Sequence, residues 1–179
     1  MTEQNRSQAT ARQDALYEEA AADYGAALER LARAYEADAD KRRDLLQEIH
    51  VAMWRSFAKF DGRCSPRTWI YRVAHNTATT HVMQQARAAK MMGIEELEEL
   101  PDTSAKGDSD RREALERLLA LIQKLRPLDR QLMVSYLEGM DAAAIGEITG
   151  LSATNVATKI HRVKALLARR FHEGGGHGD

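Results

Sequence analysis

What this chain has little of narrows it at once. A single cysteine, Cys64, excludes an internal disulfide and a cysteine-only zinc site, which fits a reducing compartment. Three prolines and 6% aromatic residues, set against abundant Ala, Leu, Glu and Arg, predict an all-α protein with no parallel-sheet pattern. No stretch approaches the roughly 18 apolar residues that span a bilayer. The start, MTEQNRSQATARQDALYEE, also lacks an apolar signal core, so no membrane insertion is expected and the cytoplasm is the expected location. Glycine-rich phosphate loops and paired acid/base residues are missing too, and His75 and His81 are not spaced as a metal pair on one helical face. Neither a metal nor another cofactor is expected.

The formal net charge of −1 hides an uneven distribution. Ala153–Phe171 carries five cations, Lys159, Arg162, Lys164, Arg169 and Arg170, and no carboxylate, whereas Gly93–Glu113 carries eight acids against three cations. A polyanionic partner is therefore compatible with a nearly neutral total.

Periodicity divides the 179 residues into two small helical domains joined by an acidic linker. Residues 1–13 are polar and unpatterned and read as a disordered lead. In 14–92, Leu28, Leu31 and Tyr35 form an inward stripe, a break falls at Glu36–Asp40, and Leu45, Ile49, Met53 and Phe57 make a continuous seam on the next helix. Lys59–Pro66 reads as a loop. A third helix over about Arg67–Met91 is expected to bury Trp69, Ile70, Val73 and Thr77. Residues 93–110 form the linker, with room for a brief helix at Ile94–Leu100.

The second domain, 111–172, starts with a stripe of Leu115, Leu118, Leu119, Ile122 and Leu125, followed by a helix that Pro127 begins and Gly139 ends. Residues 173–179 read as a flexible tail. Within this domain DAAAIGEITGLSATNVATKIHR, Asp141–Arg162, predicts a helix-turn-helix. Asp141 caps the first helix, Gly150 supplies a left-handed turn and Ser152 caps the second helix. Val156, Ile160, Val163 and Leu167 mark the core side of that second helix, while Asn155, Thr158, Lys159 and Arg162 leave another stripe polar and suited to base edges and phosphates. Alone, this stretch is equally an ordinary surface hairpin.

Two stretches in order carry a resemblance. DLLQEIHVAMWRSFAKFDGRCSPRTWIYRVAHNTA, Asp44–Ala78, and LIQKLRPLDRQLMVSYLEGMDAAAIGEITGLSATNVATKIHRVKALLARRF, Leu121–Phe171, resemble the sigma-70 family of bacterial RNA polymerase sigma factors, in the small extracytoplasmic-function type that keeps only regions two and four. The resemblance implies a non-enzymatic initiation factor whose partners are core RNA polymerase and promoter DNA, with an anti-sigma protein as a further candidate. It implies that Asp44, Gln47 and Glu48 meet the polymerase clamp. Phe60 and Asn76 become the aromatic wall and amide that receive a flipped minus-ten base, within a loop at Gly62–Arg67, and Arg63, Arg67 and Arg72 are phosphate candidates. Ala157, Thr158, His161 and Arg162 fall at base-reading positions of the minus-thirty-five element, with Asn155 and Lys159 nearer the phosphates.

The chain departs from the family pattern in four places. Lys41, Arg42 and Arg43 stand where relatives usually carry acids, Ala157 where many carry a basic residue, Ala144 where a glutamate is common on the supporting helix, and HVMQQARAAKMM is less basic than usual. Two rivals remain: a stand-alone helix-turn-helix regulator with an N-terminal helical interaction domain, and a small helical enzyme using Cys64 with His75 or His81.

Overall fold

The computed structural model describes residues 3–91 and 108–173, with side-chain surroundings for 7–88 and 111–173. Among them every regular element is an α-helix: α1 (Glu3–Tyr35), α2 (Ala39–Phe57), α3 (Pro66–Met91), α4 (Asp108–Gln123), α5 (Pro127–Leu137), α6 (Ala142–Thr149) and α7 (Ala153–Glu173). The chain divides into two compact units, Met1–His81 and Val82–Asp179. That division falls inside α3 rather than at the composition change near residue 92. Beyond His81, α3 exposes Met83, Gln84, Arg87 and Ala88, so its helical pattern outlasts its packing into the first unit.

In the first unit α1 and α2 pack as an antiparallel pair, since Gln13 reaches Trp54 and Tyr17 reaches His50 while Glu36 sits at the joint. The joint follows from capping. Asp38 accepts from the backbone N–H groups of Asp40 and Lys41, both at 2.9 Å, and Arg42 Nη1 donates to the carbonyls of Ala37 at 2.9 Å and Glu36 at 3.4 Å. Those N–H bonds hold the Asp38 carboxyl below its ordinary range. Leu45, Ile49, Met53 and Phe57 are buried as a seam along α2. Burying a side chain of this size contributes about 1.5–3 kcal/mol, far more than any propensity difference, so this seam fixes which face of α2 is left outside.

Two expectations change here. The polar residues of the expected disordered lead that the structure describes, from Glu3 on, belong to α1. The pattern gave no warning because these positions have no apolar face. A helix already anchored at Gln13 and Asp14 extends cheaply through good formers such as Gln8, Ala9, Ala11 and Arg12. The buried face of α3 is also rotated: Thr68, Ile70, Tyr71, Ala74, His75, Ala78 and His81 are buried, while Trp69, Val73 and Thr77 are only half-buried. Polar side chains point inward because partners await them; His75 Nδ1 lies 3.0 Å from the buried Tyr35 hydroxyl.

In the second unit α7 is the hub, packed by α4, α5 and α6, and α5 also packs on α6 and α4. The core joins Ile122, Leu132, Met133, Val134, Met140, Ile145 and Ile148 to Val156, Ile160, Val163 and Leu167. Of the stripe expected on α4 only Ile122 is fully buried, and Leu115 is 51% exposed. Pro127 opens α5 as expected, with Gly139 in the left-handed region beyond its end. The last three linker positions, 108–110, are already helical in α4. The rest of the expected linker, including Ile94–Leu100, lies outside the described residues. Of the expected tail Glu173 ends α7, and residues 174–179 also lie outside the described residues.

Candidate functional site

The helix-turn-helix is assembled by short-range chemistry. Asp141 Oδ1 accepts from the Ala144 N–H at 2.8 Å, Gly150 turns with φ 76°, and the Asn155 N–H donates to Ser152 Oγ at 3.3 Å. Gly146 is a further requirement that the sequence reading missed. A Cβ there would meet the Leu151 carbonyl oxygen at 2.6 Å, so the turn seats its backbone directly on α6.

With Val156, Ile160, Val163 and Leu167 facing the core, Asn155, Ala157, Thr158, His161 and Arg162 are exposed and Lys159 is half-exposed. Thr158 Oγ1 donates to the Thr154 carbonyl at 2.9 Å, which leaves its lone pairs to accept from a partner. Arg162 lines an open groove with Arg126 and Asp129 of the α5 start and with Ala165, Leu166 and Arg169 of α7. Arg126 and Arg169 were not among the expected site residues. Arg126 is distant in sequence, and no periodicity within α7 could have joined it to Arg162. Lys164 is directed elsewhere: its Nζ donates to the Tyr136 hydroxyl at 3.2 Å and lies 5.0 Å from that ring centroid.

The loop before α3 carries the second group. Gly62 turns it with φ 76°, Arg63 Nε meets Asp61 Oδ2 at 2.5 Å, and the Arg63 N–H helps hold the Asp61 carboxyl below its ordinary range. Ser65 Oγ accepts from the Thr68 N–H at 3.0 Å, so the helix starts at Pro66 and the loop ends one residue earlier than expected. Phe60 is half-buried against Phe57 and Trp69, with ring centroids 6.0 and 5.4 Å apart, and Trp69 Nε1 donates to Ser56 Oγ at 2.9 Å.

Trp69, Arg72 and Asn76 occur at i, i+3 and i+7 and share one side of α3. Asn76 is exposed and lies two turns, about 10 Å, along the helix from the Trp69 that Phe60 touches. Phe60 packs on Trp69 at the loop end of this side, and Asn76 lies toward its other end. Arg67 lies over the Tyr71 ring at 5.8 Å, and Arg63 is the most solvent-extended of the three arginines.

The third group is on α2. Asp44, Gln47 and Glu48 are exposed and line a shallow groove with Val51, Ala52 and Arg55. Val51 is 47% exposed and Trp54 38%, giving the acidic face an apolar margin absent from the sequence expectation. Trp54 is pinned by Asp14 Oδ1, which accepts from its Nε1 at 2.8 Å. The basic run preceding this face has local partners: Arg42 caps the end of α1, and Arg43 pairs with Asp40. Glu48 Oε2 lies 3.1 Å from His81 Nδ1.

Among the described residues no cluster of three or more His, Cys, Asp or Glu could hold a metal ion, and no helix is long and apolar enough to cross a membrane. His75 is enclosed in the core, and burial pushes its pKa down to about 3. That enclosure is poorly suited to the enzyme rival, which needs a base open to substrate.

Comparison with known proteins matches residues 21–88 to Sigma-70 region 2 and residues 115–167 to Sigma-70, region 4. The ECF RNA polymerase sigma-E factor of Haemophilus influenzae is 27% identical over 138 residues, covering 72% of this chain and 73% of that protein. RNA polymerase sigma-H factor of Pseudomonas aeruginosa is 36% identical over 50 residues, covering 28% of this chain and 26% of that protein. The chain thus matches about a quarter of the length of that second relative. In fold it is similar to CnrH, solved in complex with the cytosolic domain of CnrY, with TM-score 0.68, 22% identity and coverage of 93% of this chain and 94% of the other. It is likewise similar to the sigma factor RpoE of Bartonella quintana, solved with the anti-sigma factor NepR, with TM-score 0.67, 16% identity and coverage of 88% and 96%.

Proposed function

The chain belongs to the sigma-70 family, in the extracytoplasmic-function type with regions two and four, and on that premise we propose that it binds core RNA polymerase, selects promoters and assists their opening. The observation that carries this reading is the pair of family matches on one chain, region two preceding region four. The alternative of a stand-alone regulator accounts for only the second match.

In this reading residues 14–92 serve the polymerase and the minus-ten element, 93–110 link, and 111–172 serve the minus-thirty-five element. Asp44, Gln47 and Glu48 offer acceptors to a cationic surface of the polymerase, and Val51 and Trp54 add apolar contact beside them. Phe60 supports the loop end of the α3 strip, Asn76 offers an amide to a base, and Arg63, Arg67 and Arg72 neutralise phosphates along it. On α7, Thr158, His161 and Arg162 read base edges while Asn155 and Lys159 hold the backbone; Ala157 supplies only apolar contact there. The chain performs no chemistry of its own, acts in the cytoplasm with the polymerase, and is open to sequestration by an anti-sigma protein.

Reconstituted transcription tests the proposal. Adding the chain to core polymerase should yield transcripts from selected promoters that core alone does not make. Sequence-specific DNA binding without polymerase binding would instead identify the stand-alone regulator.

A further inference from the structure

His81 is buried in the first unit, yet its ring touches a side chain on the outer face of α2. Its Nδ1 is 3.1 Å from Glu48 Oε2, and its Nε2 is 3.8 Å from Glu36 Oε2. The Glu48 side chain is 50% exposed, that of Glu36 only 11%. One imidazole thus joins α3, the α1–α2 joint and the acidic groove formed by Asp44, Gln47, Glu48, Val51, Ala52 and Arg55.

We infer that His81 is a positioning residue for polymerase binding: it holds one oxygen of Glu48 so that the other is presented, already oriented, to a cationic group on the partner. The inference rests on the reading of α2 as the polymerase-binding face. A glutamate free on a helix surface samples several rotamers and must be ordered when its partner arrives. A ring N–H donating to Oε2 orders it beforehand, and the packing of the ring within the unit keeps that donor in place. Glu36 on the far side steadies the imidazole, so the polar interior of α3 acts at a surface on α2.

The test is a double-mutant cycle on the full chain, measuring affinity for core polymerase together with thermal unfolding. Glu48→Ala should weaken binding. His81→Phe, which keeps a ring of similar size and removes the donor, should weaken it by about threefold to tenfold, and should have no further effect in the Glu48→Ala background. His81→Asn, which returns an amide donor near the Nδ1 position, should recover most of the affinity, whereas a purely structural role would track the unfolding temperature. If His81→Phe fails to fold, His81→Leu replaces it in the cycle. Additive losses, or full affinity in the apolar variant, overturn the positioning role while leaving the α2 face intact. An unaffected Glu48→Ala protein overturns the positioning role as well. Charge reversal at Asp44 then separates that outcome from failure of the whole face: lost affinity keeps the face, and retained affinity removes it.

Discussion

Replacing glycine by alanine at three helical or turn positions should give opposite signs, because a different physical effect dominates at each. At Gly146 the new Cβ would lie 2.6 Å from the Leu151 carbonyl oxygen, a backbone atom that moves only with the turn. Overpacking costs about 1–3 kcal/mol, and its upper half applies where the obstacle is backbone. The helix-propensity gain from Gly to Ala returns about 1 kcal/mol, so Gly146→Ala should destabilise by roughly 1–2 kcal/mol. It should also shift the start of α7 and weaken minus-thirty-five binding beyond what the stability loss explains. At Gly150 no atom lies within 4 Å of a Cβ, but φ is +76°, so alanine costs about 1–2 kcal/mol in strain without displacing the helices. Gly25, inside α1 with open space and no positive φ, should become about 0.5–1 kcal/mol more stable as alanine. Denaturant unfolding of the three proteins, with DNA affinity measured alongside, tests the ordering. A stabilised Gly146→Ala protein with normal DNA binding would refute the argument that α6 and the turn need this close approach.

Charge reversal at Asp44 and Glu48 should reduce affinity for core polymerase with little loss of helicity; a change below about twofold, less than roughly 0.5 kcal/mol, removes the α2 assignment. Burial lowers the pKa of His75 from its ordinary 6.5 to about 3 in the folded chain, so its buried neutral form contributes stability that is present above about pH 6.5 and is lost as pH falls toward 3. Urea unfolding across that window should show a slope that His75→Gln reduces, and an unchanged slope would contradict the burial argument. Arg162→Ala should cost about 1–3 kcal/mol and flatten preference at one promoter position, while Lys159→Ala should weaken all sequences alike and lower the salt slope by about one. Binding to single-base duplex variants at several salt concentrations separates them, and identical uniform losses would reduce Arg162 to a phosphate contact.

The helix-turn-helix was legible because its determinants are neighbours in sequence. Asp141, Gly150 and Ser152 satisfy or bend backbone within a few residues of themselves, and the Val156–Leu167 stripe needs only the helical period. The α2 seam was legible for the same reason, and once Leu45 and Ile49 are inside, Asp44, Gln47 and Glu48 must lie outside. The α3 face was not legible. An apolar-stripe argument assigns histidines outward, whereas the Tyr35 hydroxyl and Glu36 and Glu48 carboxylates give His75 and His81 partners from α1, the α1–α2 joint and α2.

Packing between elements also shapes the faces proposed to meet DNA. Phe60 and Asn76 share a functional expectation, but Trp69 stands beside Phe60 while Asn76 lies about two turns farther along α3. On the proposed reading, a base received by Asn76 would draw its neighbouring contacts from the strip around Arg72 and the next helical turn, while Phe60 packs on Trp69 at the loop end. On α7, Arg162 shares its groove with Arg126 and Arg169 as well as Asp129. The surroundings of Arg162 are thus set by the start of α5 as well as by α7. On the proposed reading, a substitution that disturbs the packing of α5 against α7 should therefore alter promoter preference without removing any of the side chains proposed to contact bases.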